Sequence, residues 1–423
     1  AGRGAQRISD ARRRVGPVRP ARLPRTFEPD RAPGLRPFPP AVARGPLDGD
    51  VRGPGDGPHP AGGQPGALPH ASARVRLRIP ALEDRPGTEA FVKVEFRLKE
   101  PGPVLPENHL LAWEQFRLPV ENARRGAHLH RAAKITPRVD GQALILEGEA
   151  TDFRLVFDLE EGQIRDYTYR GKRLILGGPR PNFWRPPTDN DYGNNMPERL
   201  GIWREASNAQ TVTRVEHWQN SDRDVEITVT RSLEPAEGSL HTTHFHVFGN
   251  GEVILSTSFE PAALDLPDLP KFGLTLSLPA EIRRVRWYGR GPHENYRDRK
   301  SGAEIGTYEA TVDELFTPYI RPQENGNRTD VRWVALSGED GVGLLAVADS
   351  VMEFSALRFD DADFDEGNQP VHRHVWDLTQ RNHVTLDLDL AQMGVGGDTS
   401  WGARPHPEYR IPAGPYGYRL RLV

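Results

Sequence analysis

The fold class is decided by one stretch, His244-Phe245-His246-Val247-Phe248-Gly249-Asn250-Gly251-Glu252-Val253-Ile254-Leu255. The residues on both sides of the two glycines are largely aromatic or β-branched, as is typical of strands. Tight hairpin turns need positive φ at their central residues, which Gly and Asn tolerate. The stretch therefore predicts two antiparallel strands joined by a short turn.

The strand pattern extends in both directions from this hairpin. Residues 153–158 and 225–230 alternate between apolar and polar side chains, which indicates half-buried strands. Residues 273–278 and 283–288 continue the series, whereas residues 312–316 predict a single helical turn. Residues 132–423 therefore predict one all-β domain, built as a large antiparallel sandwich.

A shorter block of strands precedes this domain. Residues 74–79, 92–98 and 110–118 have strand patterns, and residues 120–131 predict a polar linker. Three strands with unpaired edges make an incomplete sheet. Residues 74–119 therefore predict the C-terminal part of an antiparallel sandwich whose first part is missing.

Residues 1–73 do not have the pattern of a folded domain. They are rich in Pro, Gly and Arg, and their apolar residues follow neither period 2 nor period 3.6. Two hypotheses remain open for this segment. It is a disordered basic arm, or it is the product of a shifted reading frame in GC-rich DNA.

Composition excludes several functional classes. The net charge of −4 over 423 residues argues against nucleic-acid binding, and the sequence contains no apolar run long enough to predict a membrane span. The absence of cysteine excludes thiolate metal sites and fits a reducing compartment, so a cytoplasmic location is expected.

Four clusters rich in Asn, Asp, Gly and aromatic residues interrupt the strands, at residues 183–193, 287–298, 317–326 and 393–401. Loops of this composition often bind ligands, although the same residues also build ordinary turns. The last cluster ends at Trp401, directly after a Gly-Gly turn. Its indole could form a flat platform for a sugar, but this stretch alone favours packing in the core, because single large aromatic residues are mostly buried.

The order and spacing of the four clusters resemble the C-terminal part of glycoside hydrolase family 2 β-galactosidases. The family patterns are Arg-x-Pro-x-Asp-Asn-Asp, here residues 185–191, and Gly-x-Gly-Pro-x-Glu-Asn-Tyr, here residues 289–296. Residues 319–326 match Tyr-x-x-Pro-x-Glu-Asn-Gly, and residues 394–401 match Gly-x-Gly-Gly-x-x-Ser-Trp. The resemblance also covers residues 74–119, which look like the end of the preceding immunoglobulin-like domain.

The resemblance implies a β-supersandwich of the galactose-mutarotase-like type that packs against a catalytic (β/α)8 barrel. In the family, two barrel carboxylates perform retaining hydrolysis of terminal β-D-galactose residues, and the catalytic Mg²⁺ also belongs to the barrel. No catalytic residue, cofactor or metal ligand is therefore predicted in this chain. The expected partners are the barrel region or a large subunit, the β-galactoside and, in the complete protein, further subunits.

The same resemblance implies that Trp401 contacts the substrate. The neighbouring clusters predict a set of pocket-lining residues: Asp189, Asn190, Gly193, Asn195 and Asp398.

Two alternatives stay open. One is a stand-alone mutarotase-like aldose epimerase, which needs a histidine and a carboxylate on either side of a sugar ring. Its candidate groups are His372, His374, His383, Glu366 and Asp377. The other alternative is a non-catalytic module for carbohydrate binding or assembly.

Overall fold

The structure is a computed structural model that describes residues 41–43, 89–119, 133–149, 151–371, 373–399 and 401–423. The predictions for residues 74–79, for the linker and for most of residues 1–73 lie outside these ranges. Within them β-strands make up most of the regular secondary structure and helices are few and short, so the all-β prediction is confirmed. Of the helices described, none is long and apolar enough to cross a membrane.

A small sheet contains three strands, β1 (Ala41–Ala43), β2 (Ala90–Arg97) and β3 (Leu110–Arg117). β2 and β3 are antiparallel and coincide with two of the strands that alternation predicts. β1 pairs in parallel with β2, although it falls in the segment predicted to be unstructured. An open sheet edge presents unpaired backbone groups, and these can bind an additional strand regardless of its side-chain pattern.

The large sheet contains seventeen strands among the described residues. They are β4 (Ile135–Asp140), β5 (Ala143–Gly148), β6 (Phe153–Asp158), β7 (Gln163–Tyr169), β8 (Lys172–Ile175), β9 (Gly177–Asn182), β10 (Thr211–Ser221), β11 (Asp224–Leu233), β12 (Ser239–Phe248), β13 (Val253–Glu260), β14 (Lys271–Pro279), β15 (Arg284–Gly291), β16 (Glu304–Thr311), β17 (Arg328–Ser337), β18 (Gly343–Leu357), β19 (His383–Gln392) and β20 (Tyr416–Leu422).

The pairings of the large sheet are antiparallel. Strands β10 to β13 form a meander, and β13 continues through β20 to β18. From β18 the sheet passes through β19, β14 and β9 to the meander of β4 to β7. The hairpin predicted from residues 244–255 is the β12–β13 pair, and Gly251 in its turn has φ of +89°.

In the part of the chain that the structure describes, five short helices lie in the connections: α1 (Asp189–Gly193), α2 (Met196–Arg199), α3 (Ile202–Asn208), α4 (Val312–Leu315) and α5 (Asp361–Phe364). The predicted turn at residues 312–316 is α4. Residues 183–193, in contrast, were predicted to be a loop, and their last part is helical. Thr188 and Asp191 form a capping box that satisfies the first backbone N–H groups of α1.

The interior has a large aliphatic core and a second, aromatic core. In the second, the ring of Phe183 lies 5.2 Å from that of Phe259 and 5.8 Å from that of Trp203, measured between centroids. Phe272 and Met393 pack in the same cluster. Burial of Met393 therefore anchors the start of the last of the four sequence clusters.

Candidate functional site

Trp401 lies near the end of a loop that follows β19, and 89% of its surface is exposed. The backbone bends through positive φ at Gly396 (+69°), Gly397 (+114°) and Gly402 (+77°). These conformations are accessible to glycine without a Cβ penalty. The glycine pattern around Trp401 therefore builds an exposed turn, and packing of the indole in the core is ruled out for this structure.

The loop backbone is held by side chains from elsewhere in the chain. The carboxylate of Asp298 accepts hydrogen bonds from the N–H groups of Val395 (3.0 Å) and Gly396 (2.8 Å). Asn190 donates from Nδ2 to the carbonyl of Val395 (3.2 Å), and Arg185 donates to the carbonyl of Gly394 (3.2 Å). Trp401 is thus exposed on a loop whose preceding backbone is fixed.

Helix α1 packs directly against the far end of this loop. A Cβ on Gly402 would lie 2.2 Å from the carbonyl carbon of Gly193, and a Cβ on Gly193 would lie 2.9 Å from Cα of Gly402. Both distances are far below an ordinary contact, so the two backbones can approach this closely only because both residues are glycine.

A buried ion pair joins Asp191 of α1 to Arg185, which precedes the helix. Nη2 of Arg185 is 3.0 Å from Oδ2 of Asp191, and both side chains are fully buried. Asp191 also accepts hydrogen bonds from the backbone and hydroxyl of Thr188 (2.9 and 3.0 Å). Burial raises the pKa of Asp191, while the charge of Arg185 lowers it. Two of the motif residues, Arg185 and Asp191, are therefore structural.

The second and third motifs interlock in the same region. Glu294 accepts a hydrogen bond from the N–H of Gly326 (2.8 Å), and Asn295 accepts one from the N–H of Thr329 (2.9 Å). Tyr296 donates to Glu324 (3.3 Å). The structure thus brings the four clusters together, and Asp298 links the second cluster to the loop that carries Trp401.

A buried acidic cluster surrounds Lys271 next to these motifs. Its Nζ lies 2.8 Å from Asp387, 3.7 Å from Asp389 and 3.9 Å from Asp361. Burial raises the pKa of Asp361 to about 6 and that of Glu324 to about 8. The adjoining cavity of about 10 Å³ holds one water at most. Asp387 and Asp389 are therefore too enclosed to contact a sugar, whereas the partly exposed Asp361 also lines a second cavity of about 300 Å³.

The residues predicted to line the pocket divide into three groups. Asn190 and Gly193 contact the Trp401 loop, and Asp398 lies exposed on that loop, where its carboxylate contacts His406 and raises the pKa of the imidazole. Asp189 begins the same helix α1, but it pairs with Arg321 (3.4 Å). Asn195 instead donates from its side-chain amide to the carboxylate of Glu198 (2.7 Å), a contact within the start of α2.

The epimerase alternative gains no support from the placement of its candidate groups. The carboxylate of Glu366 pairs with Arg321 and with Arg373 (3.4 Å). The ring of His374 faces the carbonyl of Ile320 (3.3 Å), and Asp377 accepts from the backbone N–H of His374. His372 lies outside the described residues. His383 is bonded to Asp360 (2.8 Å) rather than to either carboxylate considered from the sequence.

Fold and site together define a large antiparallel β-sandwich domain that presents an aromatic side chain on a braced loop. Residues 149–422 match the family model described as "Beta galactosidase small chain". The chain belongs to this family. Residues 55–119 also match the model described as "Beta-galactosidase, domain 4", a match that begins before the predicted boundary at Arg74.

Similar curated proteins are β-galactosidases. The chain is 35% identical to that of Priestia megaterium over 346 residues, which are 82% of this chain and 32% of that protein. It is 33% identical to that of Lactobacillus delbrueckii subsp. bulgaricus, over 85% of this chain and 34% of that protein. The chain therefore spans about a third of the length of these relatives.

Among solved structures, a galactose mutarotase related enzyme from Lactobacillus acidophilus aligns with 66% of this chain and 96% of its own, at a TM-score of 0.34 and 6% identity. A putative mutarotase from Salmonella typhimurium aligns with 68% of this chain and 92% of its own, at a TM-score of 0.33 and 9% identity.

Proposed function

We propose that this chain is the C-terminal part or small subunit of a retaining β-galactosidase, and that it supplies Trp401 to the substrate pocket. The observation that carries this proposal is the 89% exposure of Trp401 on a loop that Asp298, Asn190 and Arg185 brace. An exposed, fixed indole suits the apolar C–H face of a sugar, because it offers a large flat surface at little cost in side-chain entropy.

The catalytic carboxylates belong, in this proposal, to a (β/α)8 barrel outside this chain. Retaining hydrolysis needs two carboxyl groups about 5 Å apart with a sugar between them. Asp387 and Asp389 are buried beside Lys271, and both of them, together with the partly exposed Asp361, form ion pairs with it. Trp401 therefore orients the sugar, and the chain moves no proton in the reaction.

The remaining parts of the proposal follow from the assignment of catalysis to the barrel and of a substrate contact to this chain. The catalytic Mg²⁺ would be held by residues of the barrel, so no step here depends on it. The partner is the barrel region or large subunit, and the complete enzyme is an oligomer that acts on β-galactosides. The lack of cysteine favours the cytoplasm as its compartment.

Co-expression with the upstream catalytic region tests the proposal. The isolated chain is expected to be inactive towards a chromogenic β-galactoside, and the co-expressed pair is expected to be active. Trp401→Leu in the pair is expected to raise KM at least several-fold, and Trp401→Phe is expected to recover part of the loss, because stacking area decides the effect.

Trp376 provides a matched control, since 81% of its surface is also exposed but it lies in a different connection. Trp376→Leu is expected to leave KM unchanged. Steady hydrolysis by the isolated chain would refute the assignment of the catalytic carboxylates to the barrel. Sugar binding by the isolated chain, without any gain in activity from the partner, would favour the carbohydrate-binding module.

A further inference from the structure

Three metal-ligating side chains meet on the outer face of the large sheet, outside the site described above. Asp224 and Glu226 on β11 and His246 on β12 each offer one donor atom, and these atoms lie within 4.8 Å of one another. We propose that Asp224, Glu226 and His246 bind a divalent transition-metal ion such as Zn²⁺. No metal ligand is expected in this chain from its resemblance to the β-galactosidases, so this site is additional to the proposed function.

Strand register brings the three residues together. Glu226 lies directly opposite His246 in the antiparallel β11–β12 pair, and Asp224 is two residues from Glu226 on the same face. The alternate residues Val225 and Ile227 are buried in the core. Opposite residues of a sheet have Cβ atoms about 5 Å apart. The backbone therefore holds the ligands in place on a rigid support.

Neighbouring side chains orient the donors towards each other. Nε2 of His246 lies 2.8 Å from Oδ2 of Asp224, and the imidazole packs against the ring of Phe248 at a centroid distance of 4.1 Å. Asn220 on β10 donates to Asp224 (3.1 Å) and also to Glu226. Outer hydrogen bonds of this kind orient the ligands of metal sites and strengthen binding.

The donor chemistry selects the class of ion. Asp224 and Glu226 offer carboxylate oxygens, and His246 offers an imidazole nitrogen. An imidazole ligand favours Zn²⁺, Ni²⁺ or Cu²⁺ over Ca²⁺ and Mg²⁺, and three protein ligands leave a position for water.

The geometry requires only side-chain movement. With bonds of about 2.0 Å to a tetrahedral Zn²⁺, the donor atoms lie roughly 3.3 Å apart. Because the donor atoms lie within 4.8 Å of one another, no pair has to move together by more than about 1.5 Å, which is within the range of side-chain rotation.

Calorimetric titration of the chelator-treated full chain with ZnCl2 tests the site. Wild type is expected to bind one Zn²⁺ at this site, and His246→Gln is expected to weaken its affinity by about 10-fold or more, since loss of a single supporting contact already costs 10- to 100-fold. His244→Gln is the matched control. His244 lies two residues away on the same strand, but it bonds to Thr228 (2.9 Å) instead of a carboxylate.

Asp224→Asn provides a second variant in case His246→Gln does not fold, and circular dichroism checks each protein. It is also expected to weaken Zn²⁺ binding by about 10-fold or more. Equal Zn²⁺ affinity in wild type and the folded ligand variants would overturn the proposal, as would an absence of Zn²⁺ binding at millimolar concentration. Tighter binding of Mg²⁺ than of Zn²⁺ would overturn the assigned class of ion.

Discussion

Replacement of Trp401 by leucine separates a surface platform from a core residue by the stability of the folded chain. Because 89% of Trp401 is exposed, only about a tenth of its surface is buried. A fully buried Trp covers at most about 250 Å², so roughly 25 Å² is at stake here. At about 25 cal/mol per Å², the free energy of unfolding should fall by less than about 1 kcal/mol.

Trp203→Leu is the comparison in the same protein. Trp203 is fully buried, stacks on Phe183 and donates to the carbonyl of Pro267 (3.1 Å). Its replacement removes packed volume and leaves a cavity, which should lower the free energy of unfolding by about 3 kcal/mol. Both variants and the wild type can be compared by urea unfolding followed by circular dichroism, which does not depend on Trp fluorescence.

The reasoning is refuted if Trp401→Leu loses as much stability as Trp203→Leu. That result would mean that the indole packs against the domain in solution. A small loss for Trp401 and a large loss for Trp203 would instead leave Trp401 available to a ligand or to another part of the enzyme.

Three further predictions follow from buried groups and close backbone contacts. Burial raises the pKa of Glu324 from 4.5 to about 8, so its contribution to the free energy of unfolding is fully present below pH 4.5 and is lost as the pH rises through 8. Over this whole range the contribution changes by up to about 5 kcal/mol, and Glu324→Gln should remove this pH dependence. Urea unfolding of both proteins at pH 5 and pH 8.5 measures most of the difference. Asp191→Asn leaves the buried guanidinium of Arg185 without its counter-ion, so it should lower the free energy of unfolding by about 3–5 kcal/mol. Thermal unfolding unchanged from wild type would contradict a structural role for the pair. Gly402 has φ of +77°, and Gly402→Ala would place a Cβ 2.2 Å from the backbone of Gly193. The variant should therefore lower the free energy of unfolding by at least about 1–3 kcal/mol. A neutral effect would show that the loop does not pack on α1.

The strands could be predicted from the sequence because their signal is local. Alternation at residues 153–158 coincides with β6, and the glycines after Phe248 place the turn between β12 and β13. A period of two residues and a turn that requires positive φ both depend on neighbours in the chain. The four motif clusters could also be found in this way, whereas the assignment of Trp401 as a substrate contact came from the resemblance to the β-galactosidase family.

The roles of individual residues within those clusters depend on partners far away in the chain. Asp298 fixes the backbone at Val395 and Gly396 across about a hundred positions, which no local pattern reveals. Arg185 and Asp191 look like polar loop residues in the sequence, yet they form a buried pair beneath α1. Asn195 was predicted to line the pocket, but its side chain forms a hydrogen bond with the nearby side chain of Glu198.

The sequence by itself determined the all-β class, the positions of many strands and the glycine-rich turn before Trp401, because short-range sterics and hydrophobic periodicity govern these features. Only the tertiary structure decided that Trp401 is exposed, that the four clusters interlock, and that Asp224, Glu226 and His246 share one face of the sheet. The physical reason is that burial and strand register arise from contacts between segments that are distant in the chain, and these contacts exist only once the whole sheet has formed.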